Sequence, residues 1–453
     1  MSEILGEILA AEEITALEND VVEAFDAEGK ETVAAGLRRL RGAQRHQPEA
    51  ALALLRIIDR QILARDDAAE LIFEIAQSHP QDVAIMSLAG ECLEAACDID
   101  DLNAPPPVEP IFGAIVDRLT AMAEEYEGRA AEENILRGLS VSARMMARQR
   151  DRIAETSYRK LVALDPKRSS HHYNLGLFFK TRGRFDEGRQ ANQAAASLSD
   201  ETVEAYEWNL GICATGAGRG DVALETWKRM EQKVEMGRFG LPEGGYPQCK
   251  VKLAERPLAE RGAETDDPGA QETIWIQRLS PCHGIVRSVL FQDLGVDFGD
   301  VVLIDGAPIT YHTYGDTQVP VFPHLATLLR QGYQFYDFAG TQDENGHLAD
   351  ASNDLERDAI VYSHSENYRE ICANCWRDPD LDHEDHDRME KHVVTGRIAA
   401  PGDFDPGGLL DQIDKAVANR NPCQIYAPEL ARAAGQESRA SVEQRRFDLL
   451  KGN

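Results

Sequence analysis

The chain has 453 residues, and its 78 acidic residues outnumber its 48 basic ones, which gives a formal net charge of −30. A surface this acidic repels phosphates and anionic lipid, so we expect neither nucleic acid nor a membrane among the partners. The composition, 43% hydrophobic and 28% charged, is typical of a folded protein and argues against extensive disorder. An acidic amino terminus and the lack of any run of about 20 apolar residues predict a cytoplasmic location.

Residues 1–235 are predicted to be helical throughout. Ala, Leu, Glu and Arg dominate, and apolar residues recur three and four positions apart, as in ALALLRIIDRQIL at 51–63. Short breaks rich in Pro, Gly and Asp separate the helices, for example at 164–170 and 216–221. Helices without a sheet to cover must bury their apolar sides on one another. The segment therefore predicts a solenoid of helical hairpins, with a generic helical bundle as the alternative.

Two Leu-Gly pairs lie in the later part of this segment, and their glycines are 35 residues apart. Small, aromatic and proline residues accompany them at matching offsets, namely Ala154, Tyr158, Pro166, Leu175-Gly176, Leu210-Gly211, Ala223 and Trp227. This pattern resembles the tetratricopeptide repeat family, in which a unit of about 34 residues forms a pair of helices. The match covers residues 135–235 and is looser over 49–100, where Ala89-Gly90 follows Pro80.

The resemblance implies a protein or peptide partner, bound in a groove that the first helices of successive units form. Asn174 and Asn209 each stand one residue before a Leu-Gly pair, and in some family members asparagines there hold peptide backbones. We therefore expect these two residues to bind the partner. Tyr173 and Leu177 stand where carboxylate-binding members have basic residues, so a ligand bound through its terminal carboxylate is not expected.

The character of the sequence changes after residue 235. Residues 236–272 are rich in Gly, Pro and charge and predict a linker or long loop, and 436–453 predict a terminal helix or tail. Between them, short β-prone runs and the two helix-like stretches at 323–332 and 407–419 predict a compact α+β domain over 273–435 with short antiparallel strands. We recognise no family for this domain. The fold class is thus α+β multidomain, with the helical array first.

One segment of this domain combines ligands that zinc prefers. Cys372 and Cys375 form a C-x2-C pair, and His383 and His386 follow closely, with His392 beyond them. Two thiolates from one knuckle and an imidazole would make three corners of a tetrahedral Zn²⁺ site. The predicted fourth ligand comes from the Pro-Cys-His-Gly turn at 281–284, which we expect to present Cys282, or alternatively His283, outward. Two thiolate ligands favour a structural zinc over a catalytic one.

The same residues leave an enzyme open as an alternative. Cys282 could act as a nucleophile with His283 or His364 as its base, although adjacent residues rarely reach that geometry. We favour a non-enzymatic protein, a cytoplasmic adaptor with a zinc-stabilised C-terminal domain. The alternatives are a thiol or zinc-assisted hydrolase whose repeats recruit substrate, and a sensor with the C-terminal domain as its output. The sequence leaves the oligomeric state open.

Overall fold

The computed structural model describes residues 8–96, 109–146, 148–262, 267–343, 347–378, 387–420 and 422–452. Its contacts divide the chain into two units. Unit 1 comprises Met1–Gln271, Arg278–His283 and Leu303–Ala326, and unit 2 comprises Glu272–Gln277, Gly284–Val302 and Thr327–Asn453.

Helices make up most of unit 1. Those within the described residues are α1 (Ala11–Asp26), α2 (Lys30–Ala43), α3 (Pro48–Asp59), α4 (Arg65–Ser78), α5 (Val83–Ala96), α6 (Glu109–Glu125), α7 (Glu132–Met145), α8 (Asp151–Leu164), α9 (Ser169–Thr181), α10 (Phe185–Ser197), α11 (Glu204–Gly216) and α12 (Gly220–Arg229). Their apolar residues form one continuous core from Leu9 to Ala191, as the three-and-four spacing predicts.

Glycines bring the helices of each later pair into close contact. A Cβ on Gly176 of α9 would lie 2.4 Å from Nδ2 of Asn192 in α10, and one on Gly211 of α11 would lie 2.4 Å from Trp227 in α12. In both pairs the contacting residue is 16 positions after the glycine (192 − 176 and 227 − 211). The two helix pairs thus repeat one packing arrangement, which agrees with the resemblance to tetratricopeptide repeats in this part of the chain.

The strands follow the helical array. In chain order they are β1 (Glu235–Met236), β2 (Pro242–Glu243), β3 (Cys249–Ala254), β4 (Gln271–Arg278), β5 (His283–Val286), β6 (Val301–Ile304), β7 (Thr310–Tyr314), β8 (Thr317–Leu329), β9 (Gln334–Gln342), β10 (Ile360–Cys372), β11 (Arg388–Ala400) and β12 (Gln424–Tyr426). One sheet has the order β3-β4-β5-β6-β8-β7, and within unit 1 β7 runs antiparallel to β8 while β3 runs parallel to it. The segment 236–272, expected to be a linker, therefore carries strands.

Unit 2 is built on a four-stranded antiparallel sheet of order β10-β11-β9-β12. Its helices are α13 (Ala373–Arg377), α14 (Pro406–Ala418), α15 (Pro428–Ala433) and α16 (Glu437–Lys451). The helix expected at 407–419 is confirmed as α14, and the carboxylate of Asp405 caps it by accepting a hydrogen bond from the Gly408 amide at 2.7 Å. The α+β class is confirmed, although β10 and β11, with 13 residues each, are longer than expected.

The helix expected at 323–332 is wrong, because most of this stretch lies in β8. Residues 321–326 are buried at six consecutive positions, so both faces of the strand are covered there. A short apolar run that is buried on both faces has no alternation to distinguish it from a buried helix, and the sequence pattern could not separate the two.

The described residues contain no helix that combines the length and the apolar character needed to cross a bilayer.

Replacing Gly211 with Ala is expected to destabilise the protein, because the added methyl group overlaps the ring of Trp227, which is fully buried. Overpacking of this kind lowers the free energy of unfolding by about 1–3 kcal/mol. The matched control is Gly42→Ala in α2, where a Cβ meets nothing within 4 Å. There helix propensity acts alone, and the free energy of unfolding should rise by up to about 1 kcal/mol. Urea denaturation followed by circular dichroism measures the free energy of unfolding of both variants. Equal changes in the two variants would show that Gly211 does not pack closely on Trp227.

Candidate functional site

A groove in unit 1 holds a cavity of about 550 Å³ between the first helices of the two repeating pairs. The helices α9 and α11 supply two of its walls, and the loop that joins β6 to β7 supplies the third. The lining residues are Tyr173, Leu177 and Lys180 from α9, Glu204, Ala205, Trp208, Asn209 and Ile212 from α11, and Asp305, Gly306 and Ala307 from the loop. The cavity lies in the groove where the resemblance to tetratricopeptide repeats implies a partner.

One of the residues that line this groove, Lys180, carries a buried ammonium group. Only 5% of the Lys180 side chain is exposed, and its Nζ donates to Oδ1 of Asn209 at 2.9 Å and to Oδ2 of Asp305 at 2.7 Å. The other carboxylate oxygen of Asp305 accepts a hydrogen bond from the Gly306 amide at 2.7 Å. A charge taken out of water is tolerated only when it is paired and hydrogen-bonded, and these two acceptors meet that requirement.

Two aromatic side chains, Tyr173 and Trp208, lie among the other residues that line the cavity. The indole Nε1 of Trp208 donates to Oε1 of Glu204 at 3.1 Å, which fixes the ring on the face of α11. The loop packs closely on this ring, because a Cβ on Gly306 would lie 2.9 Å from it. Burial raises the pKa of the Tyr173 phenol above its usual range. The groove therefore combines aromatic and aliphatic side chains with one satisfied ion pair.

The two asparagines expected to bind a partner are placed differently. Asn209 is buried and lines the cavity, where it contacts Lys180. Asn174 is half-buried and is not among the residues that line the cavity. Sequence reasoning missed Lys180 and Trp208, although Lys180 lies one helical turn after Gly176 and Trp208 directly precedes Asn209.

The turn that carries Cys282 and His283 is not presented outward, and this expectation is wrong. Both side chains are fully buried in unit 1. The hydroxyl of Ser280 folds the turn inward, since its Oγ accepts hydrogen bonds from the amides of Cys282 and His283 at 3.2 Å each. The Sγ of Cys282 contacts Oγ1 of Thr215 in α11 at 3.4 Å. The turn thus belongs to the core.

The protonation states of this turn also disfavour a nucleophile and base. Burial raises the pKa of the Cys282 thiol to about 11 and lowers that of His283 to about 4. At neutral pH the pair is a thiol beside a neutral imidazole, and a thiol is a poor nucleophile. The other suggested base, His364, belongs to unit 2, where its ring stacks on Phe291 at 4.1 Å and its Nε2 contacts the Val289 carbonyl at 2.8 Å.

The predicted zinc ligands are only partly described. Cys372 ends β10 and Cys375 lies in α13, and the Sγ of Cys372 accepts a hydrogen bond from the Cys375 amide at 3.5 Å. His383 and His386 lie outside the described residues. His392 stacks on Tyr368, with the ring centroids 4.7 Å apart. Within the part of the chain that the structure describes, no group of three or more His, Cys, Asp or Glu residues is arranged to hold a metal ion.

No protein-family model and no curated protein matches this chain. Among solved structures, a MamA from Desulfovibrio magneticus RS-1, from residue 41 to its end, is 17% identical over 40% of this chain and 93% of that chain, with a TM-score of 0.29. A structure described as MamA AMB-1 is 15% identical over 39% of this chain and 86% of that chain, with a TM-score of 0.27. Similarity this low does not establish a family or a function.

The burial of the thiols predicts an order of cysteine modification. Cys372 and Cys375 are half-buried, whereas Cys92, Cys213 and Cys282 are fully buried. Burial also raises the pKa of Cys213 to about 12 and that of Cys282 to about 11. In protein treated with a metal chelator, iodoacetamide at pH 8 should therefore label the pair in unit 2 first and reach the other three only after unfolding. Timed labelling with peptide mass spectrometry measures the order. Labelling of Cys282 in the folded protein at the rate of Cys372 would restore the thiol-enzyme alternative.

Proposed function

We propose that the protein is a cytoplasmic adaptor whose α9–α11 groove binds an extended segment of a partner protein. The cavity between the two helices carries the proposal, because its volume of about 550 Å³ suits one or two side chains of a bound segment. Its walls combine aromatic and aliphatic side chains with a few convergent polar groups. Such surfaces provide both apolar contact and hydrogen bonds that fix orientation.

Trp208 is the proposed anchor of the partner. Its ring lines the cavity, and the hydrogen bond to Glu204 together with the ring of Trp227, 5.2 Å away, holds it in place. A rigid aromatic ring loses little conformational entropy when a ligand packs on it, which is why tryptophan is enriched among residues that dominate binding energy. We therefore assign most of the apolar binding energy to this residue.

Asn209 is the proposed polar contact. Its Oδ1 accepts from Lys180, and the described residues give its Nδ2 no acceptor. In the proposal, Nδ2 donates to a backbone carbonyl of the partner and fixes the register of the bound segment. Asn174 does not line the cavity, so the proposal assigns it no role there.

The test is a selection of binding peptides with the full-length protein. A phage-displayed random peptide library provides the probes, and the selected peptides are synthesised and titrated by fluorescence polarisation. Trp208→Ala should weaken their binding by roughly 30-fold, the effect of removing an aromatic anchor worth about 2 kcal/mol. Trp376→Ala, which removes a partly buried tryptophan in unit 2, is the matched control and should leave binding unchanged. Equal affinities of the wild type and Trp208→Ala would show that the selected peptides do not bind in the α9–α11 groove.

We also propose that unit 2 holds one structural zinc ion, with Cys372 and Cys375 as two of its ligands and His383 or His386 as the third. The hydrogen bond from the Cys375 amide to the Cys372 sulfur supports the proposal, because it stabilises a thiolate at the start of a tight turn. Cys282 is no longer proposed as the fourth ligand, since it is buried in unit 1 and contacts Thr215.

Elemental analysis of protein purified without a metal-binding tag should give one zinc per chain. Cys375→Ser should remove it and lower the melting temperature, since zinc bound only to the folded state stabilises that state. Cys423→Ser, a buried cysteine elsewhere in unit 2, should retain the zinc. A folded wild type without zinc would show that the cysteine pair and the nearby histidines do not form a metal site.

A further inference from the structure

The loop between β6 and β7 fills the polar part of the groove in which a partner is proposed to bind. Asp305 of this loop takes one of the two acceptor positions at Lys180, and Gly306 packs on Trp208. We propose that this loop is a built-in competitor, and that the groove selects partner segments in which an acidic residue precedes a small one. The inference rests on the proposed function and names the chemistry of its partner.

The selection follows from the burial of Lys180. Its side chain is 5% exposed, so its ammonium depends on Asn209 and Asp305 in place of water. A partner that enters the polar part of the groove must displace Asp305. Since 16% of the Asp305 side chain is exposed already, the displaced carboxylate can reach water when the loop swings out.

Partner segments then differ in the group that they bring to Lys180 in place of the Asp305 carboxylate. A segment with a carboxylate restores the ion pair, so the exchange conserves the number of charge-assisted hydrogen bonds. A neutral segment leaves a buried ammonium without a counter-charge, which is strongly unfavourable in a desolvated site. A basic segment adds repulsion. The same ion pair that closes the groove therefore selects acidic segments and excludes others.

The residue after the acid is selected by shape. A Cβ at position 306 would lie 2.9 Å from Cε3 and 3.1 Å from Cζ3 of the Trp208 ring. This spacing is tighter than ordinary van der Waals contact, so only a glycine, or a small residue after a slight shift, fits there. The net charge of −30 does not prevent this preference. Charges on the exposed surface are screened within a Debye length of about 8 Å at physiological ionic strength, whereas the buried ammonium is not.

The probes are two labelled octapeptides, LIDGAPIT, which copies residues 303–310, and LINGAPIT, in which the acidic residue is neutral. Both are titrated by fluorescence polarisation against the full-length wild type and against Asp305→Asn. This substitution removes the charge with which the β6–β7 loop holds Lys180. LIDGAPIT should bind Asp305→Asn at least roughly tenfold tighter than the wild type, and at least roughly tenfold tighter than LINGAPIT binds the same variant. Equal binding of the two peptides to Asp305→Asn would overturn the proposal.

If circular dichroism shows that Asp305→Asn does not fold, a second variant tests the charge selection instead. The double variant Lys180→Gln, Asp305→Asn lacks both members of the buried ion pair and should bind the two peptides equally. Library selection on the wild type should enrich Asp and Glu, and selection on the double variant should not. If both selections enrich acidic residues alike, Lys180 is not the selective group.

The two proposals fail differently. If Trp208→Ala leaves the affinity of the selected peptides unchanged, the groove itself is refuted. If Trp208→Ala weakens them but replacing their acidic residues with amides does not, the groove binds peptides and only the charge selection is refuted.

Discussion

Burying the ammonium of Lys180 obliges unit 1 to bring an acceptor to each side of it. One acceptor, Asn209, comes from the next helix pair, and the other, Asp305, comes from a loop 125 residues farther along the chain. The helical array and the β6–β7 loop therefore both contact the ammonium of Lys180. The shape of the groove follows from this requirement, because the loop that satisfies Lys180 also forms the third wall of the cavity. Lys180 and the two residues that satisfy its buried charge also line the proposed binding surface.

Close helix packing makes the groove possible in the first place. Gly176 and Gly211 let α9 and α11 approach the helix that follows each of them, with Asn192 and Trp227 filling the space where a side chain would lie. Since both contacts repeat the same offset, α9 and α11 present corresponding faces side by side. The polar residue Lys180 and the aromatic residue Trp208 lie on those faces. Thus the two glycines set the packing of the helices that carry Lys180 and Trp208.

The features that could be predicted from the sequence depend on residues that are close to one another in the chain. The spacing of apolar residues and the Leu-Gly pairs predicted the helices and their packing, because both depend on neighbours a few residues away. Lys180 was not predicted, since a lysine near the end of a helix normally indicates a solvated face, and its partner is distant in sequence. Cys282 was misplaced for a similar reason: a Pro-Cys-His-Gly turn is typical of the surface, and its burial involves a contact with Thr215, which is distant in sequence. The strand at 323–329 was missed because burial on both faces removes the alternation that identifies strands.

The separation between Lys180 and Asp305 has a consequence for synthesis on the ribosome. The chain grows at about 5–20 residues per second, so the 125 residues that separate the two take roughly 6–25 s to make. Helices α9 and α11 are complete well before the β6–β7 loop exists, and during that interval the ammonium of Lys180 has no carboxylate from this loop. A groove that forms from α9 and α11 during this interval is without the contact from Asp305, and translation of residue 305 is the earliest point at which the ion pair can form.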